Sequence, residues 1–228
     1  MIKQCIPNMI TISNLLCGCL GIINIDNLYL ASLFIIFGAI FDFFDGFVAR
    51  LLNVSTKIGK QLDSFADMVT FGVLPSLIVY SLLGQHFKSF EYIKYLALMI
   101  AVCSSIRLAI FNLSTNQTKQ FMGLATTTLG LFISVYTINI FQTNCIELKT
   151  VLTSQPVLIM LPFLSVLLIS SIPYLAFKFE GYSFNNNKLR YLYILLLLIS
   201  LIFKWEGILF FFTFYILQHV LTWFFKIL

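Results

Sequence analysis

Apolar residues along this chain run in long unbroken blocks and do not alternate with polar ones. The blocks cover about residues 9–25, 28–49, 65–84, 92–111, 122–142, 155–176, 190–203 and 207–225. A membrane-spanning helix needs about 20 mainly apolar residues, so each block except the short seventh predicts one span. Pro162 and Pro173 in the sixth block predict a kink or an early end. The last two blocks are rich in Leu, Phe and Ile and read as lipid-facing additions to a six-helix core. The pattern predicts an all-α, polytopic transmembrane helix bundle that occupies residues 1–228 as a single domain.

Composition agrees. Hydrophobic residues make up 60% of the 228 positions and charged residues 10%, more apolar surface than a soluble domain of this length can hide. Residues 1–8 carry only Lys3 as a charge and no small-residue cleavage site follows, so the first block is expected to be a retained helix. The cysteines Cys5, Cys17, Cys19, Cys103 and Cys145 are odd in number and mostly lie in apolar runs, which argues against a disulfide framework. The net charge of +5 bears on topology and anionic lipid, not on nucleic acid.

Basic residues divide unevenly between the two ends of the predicted spans. Lys3, Arg50, Lys57, Lys60, Arg107, Lys119, Lys178, Lys188, Arg190 and Lys226 fall on one side. Lys88, Lys94, Lys149 and Lys204 fall on the other. The richer side is expected to be cytoplasmic, which puts the segment 50–67 at the inner face. The polar stretch 178–190 reads as a solvated turn. His86 and His219 are expected at a surface or interface, and Trp205 and Trp223 in interfacial belts.

Four of the nine acidic residues, Asp42, Asp45, Asp63 and Asp67, fall within 26 positions in or beside apolar blocks. Each ionisable group in a span costs about 2.5–3.5 kcal/mol, and four like charges add repulsion. One or two divalent cations would offset both. Asp42 and Asp45 are three apart and Asp63 and Asp67 four apart, so each pair shares a helix face. Carboxylates without His or Cys nearby suit Mg2+, Mn2+ or Ca2+ better than zinc. Gly46, Ala49 and Gly59 remove bulk where a ligand approaches backbone. Arg50 can meet a phosphate, and Lys57 and Lys60 can attract an anionic substrate. Carboxylates, a cation and a facing Arg describe phosphoryl-transfer chemistry. Charge placement alone leaves a divalent-cation transporter equally open, and a structural scaffold is a third reading.

Residues 42–67 read DFFDGFVARLLNVSTKIGKQLDSFAD. This resembles the signature of the CDP-alcohol phosphatidyltransferase family, D-x2-D-G-x2-A-R-x8-G-x3-D-x3-D. All eight fixed positions are matched: Asp42, Asp45, Gly46, Ala49, Arg50, Gly59, Asp63 and Asp67. Within the family, IPNMITISNLLCG at 6–18 is similar to the opening of bacterial-type phosphatidylserine synthases. DSFADMVTFGVLPS at 63–76, SSIRLAIFN at 104–112, FMGLATTT at 121–128 and LLISSIPYLAFK at 167–178 resemble later blocks of those enzymes. The likeness covers about residues 6–178 as a catalytic core, with 190–226 as additional hydrophobic helices. Ile110 and Ala125 depart from it, standing where an Arg and a Pro are often found.

The resemblance implies a transfer of the phosphatidyl group from CDP-diacylglycerol to the hydroxyl of L-serine, giving phosphatidylserine and CMP at the cytoplasmic face of a bacterial inner membrane or its equivalent. It implies Asp42, Asp45, Asp63 and Asp67 as ligands of Mg2+ or Mn2+, two ions per site, with Asp67 also the base. It implies Asp45, Gly46, Ala49, Arg50 and Gly59 in the CDP-diacylglycerol site, extended by Asn8 and Thr11, and a homodimer. Serine carries a carboxylate, so its pocket is expected to hold a cation. Arg107 is the candidate, assisted by Asn112, although Arg107 also reads as a helix-end anchor. A sister enzyme using another acceptor such as glycerol 3-phosphate shares the same motif.

Overall fold

The computed structural model describes residues 2–54, 56–113, 121–174 and 184–227. Lys119, Lys178 and the first six residues of the polar stretch 178–190 lie outside the described residues, as do the side chains of Lys3 and Lys226.

The chain opens with α1 (Ile2–Ile23) and α2 (Leu28–Leu51), a tight pair whose second member starts where the Asn27 side chain accepts the Leu30 amide at 3.1 Å. A long helix follows: α3 (Lys57–Asp67), a π turn (Met68–Val73) and α4 (Leu74–His86) run on without a break. The π turn has a local cause. Pro75 has no backbone N–H to give the Phe71 carbonyl, so ordinary α-helical pairing cannot continue there. A 3-10 turn (Glu91–Ala97) leads into α5 (Leu98–Leu113). Strands β1 (Phe121–Met122) and β2 (Pro173–Tyr174) form a two-residue antiparallel ribbon, with Phe121 opposite Tyr174. Between them lie α6 (Thr126–Gln142), α7 (Ile146–Leu152), α8 (Gln155–Phe163) and a 3-10 turn (Leu164–Leu168). Helices α9 (Phe184–Ile202) and α10 (Lys204–Ile227) end the chain.

The central element is Lys57–His86. Its apolar stretch is 61% buried within the protein, against 17–33% for the other long apolar helices. Phe71, Leu74, Ile78, Leu82 and Leu83 are fully buried, in one cluster with Ile100, Leu129, Ile133 and Leu158. Two glycines let α1 and α2 approach the π turn. A Cβ on Gly18 would lie 2.5 Å from Thr70 Oγ1, and one on Gly38 would lie 2.5 Å from Thr70 Cγ2. The outer faces are apolar: Phe37, Phe43, Phe44 and Phe47 of α2 are all exposed. Such a surface belongs in lipid, and the chain is an integral membrane protein.

The predicted blocks all contain helix, with differences in extent and number. Among the described residues five helices are long and apolar enough to span, and six if α7 and the α8 segment count as one bent span. The third span begins at Lys57, eight residues before the apolar block, because the amphipathic stretch holding Asp63 continues the same helix. The sixth block is corrected most. It is not one helix over 155–176 but a pair, Ile146–Leu152 and Gln155–Leu168, bent by 53°. The chain leaves helix after Leu168, before Pro173 is reached.

The last two helices are docked, not merely lipid-facing. Asn139 Nδ2 of α6 donates to the Trp205 carbonyl at 2.9 Å, and the Thr143 hydroxyl donates to Glu206. The His219 ring stacks on Tyr174 with centroids 5.0 Å apart and its Nδ1 meets the Tyr215 carbonyl at 2.8 Å. His219 is therefore half-buried in an aromatic cluster and not at a free surface. His86 is also partly buried, with Nδ1 at 2.9 Å from the Leu82 carbonyl. Trp205 and Trp223 are partly buried against the core.

Candidate active site

Residues 52–56 join α2 to α3. Asn53 turns the chain at φ 52°, a left-handed conformation that Asn tolerates. Thr56 then caps α3, its hydroxyl accepting the Gly59 amide at 2.9 Å. The short connection brings the acidic end of α2 against the acidic face of α3. One carboxylate oxygen from each of Asp42, Asp63 and Asp67 lies within 4.8 Å of the others.

Asp45 stands apart from that trio. It is 7% exposed and its Oδ2 accepts a 2.7 Å hydrogen bond from the Thr11 hydroxyl of α1. Asn14, one turn further along α1, directs Nδ2 to Asp67 Oδ1 at 3.4 Å. Its own Oδ1 is buried and has no hydrogen-bond partner among the described residues. Helix α1 thus touches both acidic pairs.

Three partly buried carboxylates at this spacing repel one another strongly where water is scarce. Their donor set is oxygen only, which fits a hard divalent cation. Among the described residues no other three His, Cys, Asp or Glu side chains come close enough to share an ion.

Beside the trio is a cavity of about 210 Å³, lined by Pro7, Asn8, Thr11, Asp45, Gly46, Ala49, Val54, Thr56, Gly59, Lys60 and Asp63. Beyond its chain neighbours and its own helix backbone, nothing among the described residues lies within 4 Å of where a Cβ on Gly46 would project, so the glycine leaves its wall open. Gly59 is confined: a Cβ there would lie 2.9 Å from Asn8 Oδ1 and from Thr56 Oγ1.

The cavity brings together Asn8, Thr11, Asp45, Gly46, Ala49 and Gly59 of the sequence-derived site. It does not include Arg50, which is exposed and whose Nε donates to the Gly46 carbonyl at 2.9 Å. Arg107 and Asn112 also lie off its lining. Arg107 is buried, with Nε 3.4 Å from the Leu124 carbonyl, so it does not reach out to an interface as a helix-end anchor would. Asn112 Nδ2 donates to Ser64 Oγ at 2.8 Å, on the α3 residue next to Asp63. Sequence reasoning missed Pro7, Asn14, Val54, Thr56 and Ser64. Asn14 had a signal: Asn8, Thr11 and Asn14 recur every three residues in a mainly apolar helix, marking one polar stripe.

The family model described as CDP-alcohol phosphatidyltransferase matches residues 4–167, well over half of the chain. A CDP-diacylglycerol–serine O-phosphatidyltransferase of Bacillus subtilis is 43% identical over 122 residues, covering 52% of this chain and 67% of that protein. A protein of the same name from Helicobacter pylori is 29% identical over 223 residues, covering 96% of this chain and 91% of its own. An archaetidylserine synthase of Methanothermobacter thermautotrophicus is 32% identical over 174 residues, covering 74% of this chain and 69% of its own.

Proposed function

We propose that this chain, which belongs to the CDP-alcohol phosphatidyltransferase family, transfers the phosphatidyl group of CDP-diacylglycerol to the hydroxyl of L-serine and releases CMP. The observation that carries the reading is the convergence of Asp42, Asp63 and Asp67 beside a cavity whose lining includes Gly46 and Gly59. The names of the relatives from Bacillus subtilis and Helicobacter pylori support serine as the acceptor.

Asp42, Asp45, Asp63 and Asp67 would hold two divalent cations, Mg2+ or Mn2+, which would neutralise charge on the diphosphate and on the departing CMP. The nucleotide end of the donor lies in the cavity against Gly46, Ala49 and Gly59, where missing or one-carbon side chains let phosphate approach backbone. Asn8 and Thr11 extend this wall, Arg50 faces the phosphates from the end of α2, and the acyl chains stay in the bilayer. The acceptor comes from the α5 side, with Arg107 as a cation for its carboxylate and Asn112 nearby. Asp67 takes the proton from the serine hydroxyl. The serine oxygen then bonds to the phosphatidyl phosphorus as the bond to the CMP oxygen breaks, and CMP leaves with that electron pair.

The chain acts as one domain, a catalytic core at about 6–178 with 190–226 added, within a homodimer. The site opens to the cytoplasm from a bacterial inner membrane or its equivalent, the side richer in Lys and Arg. The test is purified protein in detergent with CDP-diacylglycerol, Mg2+ or Mn2+, and radiolabelled L-serine. Labelled phosphatidylserine with equimolar CMP is the expected result. CMP release with glycerol 3-phosphate and none with serine would assign the chain to a sister activity.

A further inference from the structure

The hairpin of α9 and α10 holds a second cavity, a groove of about 370 Å³, which is within the range of ligand pockets. Leu196, Ile199 and Phe203 line it from α9, and Phe210, Phe211 and Phe214 from α10. Ile199, Phe203, Phe210 and Phe214 are exposed on the protein, so the groove opens sideways toward lipid. At the hairpin turn the two helices meet. A Cβ on Gly207 would lie 2.2 Å from the Ser200 carbonyl oxygen, so glycine permits the contact that closes this end of the groove. From Glu206 to Phe214 the groove follows α10 for about 12 Å.

Its two polar side chains, Ser200 and Glu206, stand at the closed end. The Ser200 hydroxyl is committed to the Leu197 carbonyl at 2.7 Å. Glu206 accepts from the Thr143 hydroxyl, its one hydrogen-bond partner among the described residues, and none of them forms an ion pair with it. A carboxylate beside an apolar, lipid-facing groove is costly without a counter-charge, and an arriving cation would supply it. Lys204, exposed, opens α10 at the same turn, where the backbone reverses at φ 53°.

This end of the hairpin is remote from the aspartates. Gln142, which ends α6 beside Thr143, donates to the Tyr29 hydroxyl at 2.8 Å, and Tyr29 is at the start of α2. Asp45 comes 16 positions after Tyr29, about 24 Å along the helix. Glu206 therefore sits at the opposite end of the bundle from the candidate active site, at the level of the other leaflet.

We infer that this groove binds a phospholipid whose headgroup ends in a primary ammonium, the chemistry of phosphatidylethanolamine. One acyl chain lies between α9 and α10, the ammonium donates to Glu206, and the phosphate sits at the level of Lys204. A choline headgroup has no N–H to donate, and a glycerol headgroup brings net negative charge toward the carboxylate. Charge-assisted hydrogen bonds are the stronger ones of a site. The inference goes beyond the transferase reading and does not depend on it.

The test titrates the purified protein in detergent with phosphatidylethanolamine, phosphatidylcholine or phosphatidylglycerol of identical acyl chains and reads bound lipid by native mass spectrometry. The wild type should bind phosphatidylethanolamine about tenfold or more tightly than either other lipid. Glu206→Gln keeps an acceptor for Thr143 and removes the charge, so it should bring phosphatidylethanolamine down to the level of phosphatidylcholine. Ile199→Trp, at an exposed position of the groove wall, should weaken phosphatidylethanolamine by filling the space for the acyl chain. Equal binding of the three lipids by the wild type overturns the inference whatever the variants do. An undiminished preference in Glu206→Gln overturns it as well. If Ile199→Trp converts a dimer to a monomer and leaves lipid binding intact, the groove is a contact between copies of the chain and the inference falls.

Discussion

Thr11 Oγ1 and Asp45 Oδ2 are 2.7 Å apart across 34 positions of sequence, and this bond ties the first helix to the acidic pair of the second. Asp45 lines the cavity with Thr11, so the hydroxyl orients a carboxylate that faces ligand space. Thr11→Val keeps the shape of the side chain and removes the donor. Hydrogen bonds to charged groups contribute about 1.5–3 kcal/mol. We predict a fall of roughly one to two orders of magnitude in kcat/KM for CDP-diacylglycerol, with Thr11→Ser retaining most activity. Steady-state CMP release on the three proteins decides it.

The carboxylate trio predicts a strict requirement for divalent cations. EDTA should abolish CMP release, and Mg2+ or Mn2+ should restore it. Asp63→Asn should weaken Mn2+ binding, read by electron paramagnetic resonance, together with turnover. Asp67→Asn should lower turnover by about 10²–10⁴-fold, the usual contribution of a general base. Full activity of Asp67→Asn would remove it from the proton path.

Gly46 and Gly59 should respond differently to the same added methyl. A Cβ on Gly59 meets Asn8 Oδ1 and Thr56 Oγ1 at 2.9 Å, so Gly59→Ala should lower thermal stability and raise the KM for CDP-diacylglycerol. A Cβ on Gly46 meets nothing within 4 Å. Gly46→Ala should leave the melting temperature in detergent nearly unchanged and act on substrate binding alone.

Gly18 tests the packing that seats α1. A Cβ there would come within 2.5 Å of Thr70 Oγ1 and 3.0 Å of the Thr70 backbone. The Thr70 hydroxyl itself donates to the Asn14 carbonyl at 3.0 Å, so the contact has little room to yield. Gly18→Ala should destabilise the protein by about 1–3 kcal/mol, the usual cost of overpacking. Because Asn14 contacts Asp67, activity should fall as well. Thermal unfolding and CMP release measured on one preparation would show whether the two losses travel together.

Much of this protein was legible from local pattern. Apolar blocks long enough to span are a property of single segments, so the helical, membrane-embedded fold class followed from them. The intervals 42–45 and 63–67 put each acidic pair on one helix face because three- and four-residue spacing is local helix geometry. The small residues at 46, 49 and 59 all fall on the cavity lining, although only Gly46 leaves open space where a Cβ would project and Gly59 is confined.

Other features needed the tertiary structure. Two pairs of aspartates on two helices do not say which three carboxylates converge, because that depends on how α2 and α3 rotate about their own axes. The answer, Asp42 with Asp63 and Asp67, leaves Asp45 to Thr11. The Asn14–Asp67 and Ser64–Asn112 contacts join residues 53 and 48 positions apart, a separation that no periodicity records. The bend between α7 and α8 and the docking of α10 on α6 likewise come from packing. The sequence by itself determined which residues are acidic, small or apolar and which face of its own helix each one shares. Only the folded bundle decided which of those faces meet, because helix rotation and crossing are set by side chains packing between segments distant in sequence.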